Sequence, residues 1–139
     1  MDATIEIRPA SQPIDATVVL PGSKSYTNRA LILAAMARGR SVLKQALFSD
    51  DTDYMADALR TLGIDVQQNR AAAEFVVNGG GGKVPVRGAE LFVGNAGTAA
   101  RFLTSFVALG RGEYLIDGVP RMRQRPIQPL LETLQQLDV

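Results

Sequence analysis

Three stretches of the chain place side chains that could hold an anion. The first, P-G-S-K-S-Y-T-N-R-A-L-I-L-A-A-M-A-R, runs from Pro21 to Arg38. Gly22 permits a tight turn and Ser23 is a good N-cap. Lys24, Ser25 and Arg29 then crowd donors into the first turns of a helix, where the macrodipole already favours negative charge. Cations at a helix N-terminus cost stability unless an anion answers them, so the pattern suggests a phosphate or carboxylate seat. A capped core helix with two incidental cations is the plainer alternative. The second stretch, G-N-A-G-T-A-A-R-F-L-T-S-F-V-A-L-G from Gly94 to Gly110, has the same order of glycine, small polar residues, arginine and apolar run. The third is D-G-V-P-R-M-R-Q-R-P-I, Asp117 to Ile127. Pro120 and Pro126 should keep it extended or turn-like, so that Arg121, Arg123 and Arg125 alternate onto a common side. The planar guanidinium fork suits bidentate contact with phosphate or carboxylate. A solvated basic loop paired with surface acids would leave the same spacing.

Composition narrows the chemistry further. The 139 residues carry a net charge of +1, and 46% are hydrophobic, as in an ordinary single globular domain. Aromatics make up 6% and Trp is absent, so neither a basic field nor base-stacking platforms favour nucleic acid as a partner. No run approaches the length of a membrane span, and M-D-A-T-I-E-I-R lacks the basic start and apolar core of a secretory signal, which leads us to expect a cytoplasmic protein. With no Cys and no His, thiolate nucleophiles, disulfides, thiolate or imidazole metal sites and histidine acid–base chemistry are excluded. Proton transfer would fall to Lys, Asp, Glu or Tyr.

The elements that must position these groups follow from periodicity. Thr4–Arg8 and Ala16–Leu20 suit two short strands between prolines. Ala30 to Ala37 is apolar on every side, which places that helix in the middle of a layered domain with only its first turn reaching water. Gly39 stops it, and Ser41 to Leu47 is strand-like. Ser49-Asp50-Asp51-Thr52 caps a second helix, whose buried stripe is Tyr54, Met55, Ala58, Leu59 and Leu62, with Gly63 as its stop. Capping and dipole compensation account for Asp50, Asp51 and Asp53 without a catalytic role. Ile64–Gln68 and Glu74–Asn78 read as strands, and Gly79 to Gly82 as a flexible hairpin connection. No G-K-[ST] and no apolar helix follow those glycines, so they are not a nucleotide loop. Leu91–Val93 and Tyr114–Asp117 are further short strands, and an amphipathic helix to Leu137 carries Pro129 in its first turn.

The two helix entrances belong to a longer repeat. An offset of 72 residues pairs Gly22 with Gly94, Arg29 with Arg101, Leu31 with Leu103, Leu43 with Leu115, Leu59 with Leu131 and Leu62 with Leu134. Each copy orders a polar turn, a buried helix, a strand and an amphipathic helix, so the domain is built from similar units. The first copy continues through two more strands, whereas the second stops near Val139. On this reading the chain is a fragment of a longer protein.

P-G-S-K-S-Y-T-N-R-A-L, G-N-A-G-T-A-A-R and D-G-V-P-R-M-R-Q-R-P-I, in this order and spacing, resemble the N-terminal part of the 5-enolpyruvylshikimate-3-phosphate synthase family. The resemblance covers nearly the whole chain. It implies an α/β fold of repeated βαβαββ units about a pseudo-threefold axis, an inside-out α/β barrel that is incomplete here. Residues 1–20 would join the other domain, and residues 21–139 would form the first one and a half units of the N-terminal domain. The implied reaction is transfer of the enolpyruvyl group of phosphoenolpyruvate to the 5-hydroxyl of shikimate 3-phosphate with release of phosphate, without metal or cofactor. By motif, Lys24 would meet phosphoenolpyruvate and serve in catalysis. Ser25 and Arg29 would meet the shikimate phosphate, Gly97 would offer its backbone to phosphoenolpyruvate, and Arg125 would bind the phosphoenolpyruvate phosphate. Asn95, Thr98, Arg101 and Arg121 would be supporting residues.

Two departures stand out. Phe102 follows Arg101 where many members have proline, which bears on the set of the Gly97 helix and on tolerance to phosphonate analogues of phosphoenolpyruvate, and Gln124 replaces a common glutamate. The family's acid–base residues lie outside these motifs. The chain alone is therefore expected to be inactive and to need a complementary polypeptide. The alternatives are the sister enolpyruvyl transferase acting on a UDP-amino sugar and a non-catalytic anion-binding module. The sister enzyme's lysine motif continues with asparagine in place of S-Y-T-N-R, and it usually carries a reactive cysteine.

Overall fold

The computed structural model describes residues 4–139. Helix α1 (Lys24–Met36) begins on Ser23, whose extended backbone and side-chain oxygen cap it, Oγ accepting from the Tyr26 N–H at 3.4 Å. Thr27 holds this end in place: its hydroxyl donates to the Ser23 carbonyl at 2.9 Å and accepts from the Leu47 N–H at 3.0 Å. Strand β1 (Arg38–Leu43) and helix α2 (Asp50–Thr61) follow. The Ser49 N–H donates to Thr52 Oγ1 at 2.9 Å, so the start of α2 is pinned by the residue three places in. Gly63, at φ 86°, ends that helix as the sequence suggests.

Strands β2 (Asp65–Asn69) and β3 (Glu74–Gly80) complete an antiparallel sheet of order β1-β3-β2. The chain then leaves that sheet. Strand β4 (Gly88–Phe92), helix α3 (Gly97–Val107) and strand β5 (Glu113–Asp117) form a βαβ unit whose two strands pair in parallel. Gly79 and Gly80 thus end β3, paired with Gly39 and Arg38, and Gly81 and Gly82 begin a passage between two sheets, not the hairpin expected from sequence. One-turn helix α4 (Pro120–Arg123) and helix α5 (Gln128–Gln135) end the chain.

The three longer helices α1, α2 and α3 pack on one another. The first sheet lies against α1 and α2, and the second against α2 and α3. Met55, Leu59 and Leu62 from α2, Leu31 and Ala35 from α1, Leu103 and Phe106 from α3, and Phe75 and Val77 from β3 form one continuous core. The order α1-β1-α2 recurs as α3-β5-α5, so the repeat read from sequence is present in the order of elements. No helix among the described residues is long and apolar enough to cross a membrane.

Several expectations fail for identifiable reasons. Thr4–Arg8 and Ala16–Leu20 form no strand: they run irregularly with Ile5, Ile7, Ile14, Val18, Val19 and Leu20 at least 76% exposed, and they pair with none of the described strands. Helix α1 is not covered all round. Thr27, Asn28, Leu31, Ile32, Ala34 and Ala35 are buried, while Tyr26, Arg29, Leu33 and Met36 share an exposed face that, among the described residues, α3 borders only through Phe102. The polar entrance is also less wet than its composition implies, since Thr27 and Asn28 are both buried. Helix α5 buries no residue, and Phe92 and Leu115 leave one side of the β4–β5 sheet largely open.

Leu31 is fully buried and Leu33, on the same helix, is 66% exposed. Leu31→Ala should therefore cost roughly 2–5 kcal/mol in chemical denaturation of this chain, and Leu33→Ala a small fraction of that. Equal losses would mean that the open face of α1 is covered in solution.

Candidate functional site

The first turns of α1, α2 and α3 converge on one open cleft of about 450 Å³. Lys24 comes from the start of α1, Asp51 from the start of α2, and Gly97, Thr98, Arg101 and Phe102 from α3. Asn95 comes from the loop after β4, and Arg125 from the turn after α4. Each helix presents its positive end here. The α3 end is the most available, because Ala96 stands at its N-cap and no side chain caps it.

Gly22 sets the position of Lys24 by close approach, not by an unusual turn. A Cβ there would collide with the backbone of Gln45 and Leu47, so the entry to α1 lies directly on the loop after β1. Lys24 Nζ then reaches Asp51 Oδ2 at 2.8 Å, a half-exposed pair that spans two helix starts. This corrects the reading of the acids at the head of α2. Asp53 leaves the terminus to bind Arg70, at 2.7 and 2.8 Å, and the Gln68 amide at 2.8 Å. Asp51 faces the cleft, and of the three only Asp50 is left to a terminal role. Three acids within one turn exceed what a helix start needs, and that surplus was the available signal for Asp51.

The arginines also separate. Pro120 at the first position starts a helical turn, so alternate residues no longer share a side. Arg121 is exposed, its guanidinium 3.4 Å from Gln124 Oε1, and does not line the cleft. Arg123 binds Asp117 through both carboxylate oxygens, Nε to Oδ1 at 2.8 Å and Nη2 to Oδ2 at 2.7 Å. Those bonds, with a further one from the Gly118 N–H, hold the Asp117 carboxyl down at about 2 and push the Arg123 guanidinium up. Only Arg125 turns to the cleft, lying against Gly97 so closely that a Cβ on that glycine would strike its guanidinium. Among the described residues Arg125 has neither a carboxylate partner nor a side-chain hydrogen bond. Arg101, in contrast, donates to the Gly97 carbonyl at 3.3 Å and to the Pro126 carbonyl at 2.6 Å.

Six of the nine residues picked from sequence therefore line the cleft: Lys24, Asn95, Gly97, Thr98, Arg101 and Arg125. Ser25 sits on the first turn of α1 outside it. Arg29 lies 5.9 Å from the Phe102 ring centroid and lines a neighbouring hollow with Ile32, Leu33 and Phe102. Phe102, noted in the sequence only as a departure from proline, is the wall between the two hollows.

A profile of the EPSP synthase family (3-phosphoshikimate 1-carboxyvinyltransferase) matches residues 9–139. The chain belongs to the EPSP synthase family. It is 55% identical over 132 residues to the 3-phosphoshikimate 1-carboxyvinyltransferase of Trichormus variabilis, covering 95% of this chain and 31% of the relative. Against that of Rhizobium etli, identity is 49% over 137 residues, 99% of this chain and 32% of the relative. A solved structure of EPSP synthase from Acinetobacter baumannii superposes with a TM-score of 0.78 over 88% of this chain and 28% of that one, at 22% identity, which establishes likeness of fold. The chain thus spans about a third of the length of these EPSP synthases, and its mixed α/β fold is theirs in part.

The Asp117–Arg123 pair gives a pH dependence of definite sign. A carboxyl held below its ordinary value of about 4 contributes stability above that value, and loses it as pH falls toward about 2. In an acid titration followed by carboxyl NMR, Asp117 should have its midpoint near 2, and Arg123→Ala should raise it toward the ordinary range, the Gly118 N–H bond still holding it down in part. An Asp117 midpoint unmoved by that substitution would show that the bidentate bond is not formed in solution.

Proposed function

We propose that in the complete protein this chain supplies the anion-binding half of a site that transfers the enolpyruvyl group of phosphoenolpyruvate to the 5-hydroxyl of shikimate 3-phosphate, releasing phosphate. The observation that carries this reading is Arg125, a guanidinium without a protein partner among the described residues, set over Gly97 in the cleft that Lys24 also lines. A dianionic phosphate at the open start of α3 would meet backbone N–H groups and the Arg125 fork together.

Lys24 would contact phosphoenolpyruvate and act in catalysis, leaving Asp51 as the substrate's charge replaces it. Ser25 and Arg29, on α1 beside the cleft, would take the phosphate of the shikimate substrate, with Asn95, Thr98, Arg101 and Arg121 in support. The acids and bases that complete the reaction would come from a complementary polypeptide or from the rest of the chain. Residues before Pro21 would pack with that second domain, a reading supported by their exposed Ile, Val and Leu side chains.

In the full-length enzyme Arg125→Ala should lower kcat/KM for phosphoenolpyruvate by roughly tenfold to a hundredfold, the loss of one or two charge-assisted hydrogen bonds. Arg125→Lys should restore part of it, and Arg123→Ala should cost less than Arg125→Ala. Loss of equal size at both arginines, abolished by salt, would reduce the segment to a diffuse basic patch. Gly97→Ala should displace Arg125 and raise KM for phosphoenolpyruvate, an effect that must vanish when Arg125 is already Ala. This 139-residue chain alone should release no phosphate with both substrates present. Release that depends on both would place the missing acid–base groups within it.

A further inference from the structure

Arg101 lines the same cleft as Arg125, and charge alone would make it a second anion ligand. Its hydrogen bonds give it a different task. One arm of the guanidinium binds the carbonyl of Gly97, at the start of its own helix, and another binds the carbonyl of Pro126, 25 residues further along. Pro126 directly follows Arg125. The proline ring fixes its own φ and restricts the residue before it, so whatever fixes the Pro126 carbonyl fixes the backbone from which the Arg125 side chain springs.

The other ties of that segment lie at its start, where the Val119 N–H donates to the Gly94 carbonyl at 3.0 Å. Helix α4 is a single turn, with Met122 as its buried residue. The Arg125 N–H donates to the Met122 carbonyl at 3.0 Å, and Arg123 ties the turn back to Asp117. Arg125 and Pro126 are themselves exposed. Among the described residues the Arg101–Pro126 bond, at 2.6 Å, is the hydrogen bond that joins this exposed turn to α3, beside the packing of Met122 in the core and of Arg125 against Gly97.

We infer that Arg101 is a positioning residue that acts through Arg125: by bridging the Gly97 and Pro126 carbonyls it sets the Arg125 guanidinium over Gly97, and it does not itself bind the anion. The inference rests on the reading of the cleft given above. An ammonium cannot replace the bridge, because a single nitrogen does not present the divergent arms that reach two carbonyls on separate segments. A direct ligand, held by charge, would tolerate lysine far better.

A double-substitution cycle in the full-length enzyme separates the two roles, with amide exchange as a readout independent of turnover. Arg101→Ala should lower kcat/KM for phosphoenolpyruvate about tenfold when Arg125 is present, and less than about twofold when Arg125 is already Ala. Arg101→Lys should be as impaired as Arg101→Ala. Amides of residues 121–125 should exchange about tenfold faster in both Arg101 variants, while those of the α3 core, Leu103 and Phe106, keep their parental rates and so report an intact fold. Losses that multiply, rescue by lysine, or unchanged exchange at residues 121–125 would overturn the inference. A full-length parent that releases no phosphate from the two substrates would instead overturn the proposed function, and the exchange rates would still decide whether the bridge holds the turn.

Discussion

Gathering positive charge in one place without an anion is the problem that this structure has to solve. Three helix starts, Lys24, Arg101 and Arg125 all meet at the cleft, and unscreened like charges at close range repel by several kcal/mol even near a protein surface. Each cation is handled differently. Lys24 is matched by Asp51, Arg101 is occupied by two carbonyls, and Arg125 is left open to solvent. The result is graded availability: one charge that a ligand can take at once, one that it must win from a carboxylate, and one committed to the scaffold.

The packing explains how such a site can be placed accurately. Helices α1, α2 and α3 share a core of leucines, Phe75, Phe106 and small alanines, and they begin at the same end of it. Close approach at Gly22 and the Thr27 bond to the Leu47 N–H fix α1 to the segment leading into α2, and so set Lys24 against Asp51. The βαβ crossover carries α3 and, through β5, the arginine turn. The cleft therefore lies where these two parts of one core meet, and the Arg101 bond crosses between segments of the second.

What the sequence made legible was whatever depends on neighbours along the chain. The start of α1 at Ser23, the capped start and glycine stop of α2, and the repeated helix–strand–helix order are set by local chemistry, and they stand where periodicity and caps put them. The motifs also identified the six cleft residues. The errors lie where the decisive partner is distant or absent. Alternation predicted strands at Thr4–Arg8 and Ala16–Leu20, but a strand needs a ladder, and these residues pair with none of the described strands. Alternation likewise predicted a common side for three arginines, and one proline at the first position of a helical turn was enough to divide them. Asp51 was hidden for the opposite reason, since a local role in capping was a sufficient account of it until Lys24 appeared across the cleft.

The β4–β5 sheet has a consequence for how such a protein is made. Two parallel strands joined through α3 form a ribbon with both outer edges unpaired, and Phe92 and Leu115 face outward from it. Parallel strands ordinarily stand deep inside larger sheets with both faces covered, and a two-stranded ribbon is marginal in water. On a ribosome, these strands emerge before any polypeptide that follows them. Standing alone, the ribbon offers two unpaired edges and a face on which Phe92 and Leu115 stand between Glu90 and Glu113, and unpaired edges are the geometry that draws strands of neighbouring nascent chains together. Any interval in which the two strands stand uncovered is thus a period of exposure to misassembly, with the carboxylates of Glu90 and Glu113 as the charges that oppose it.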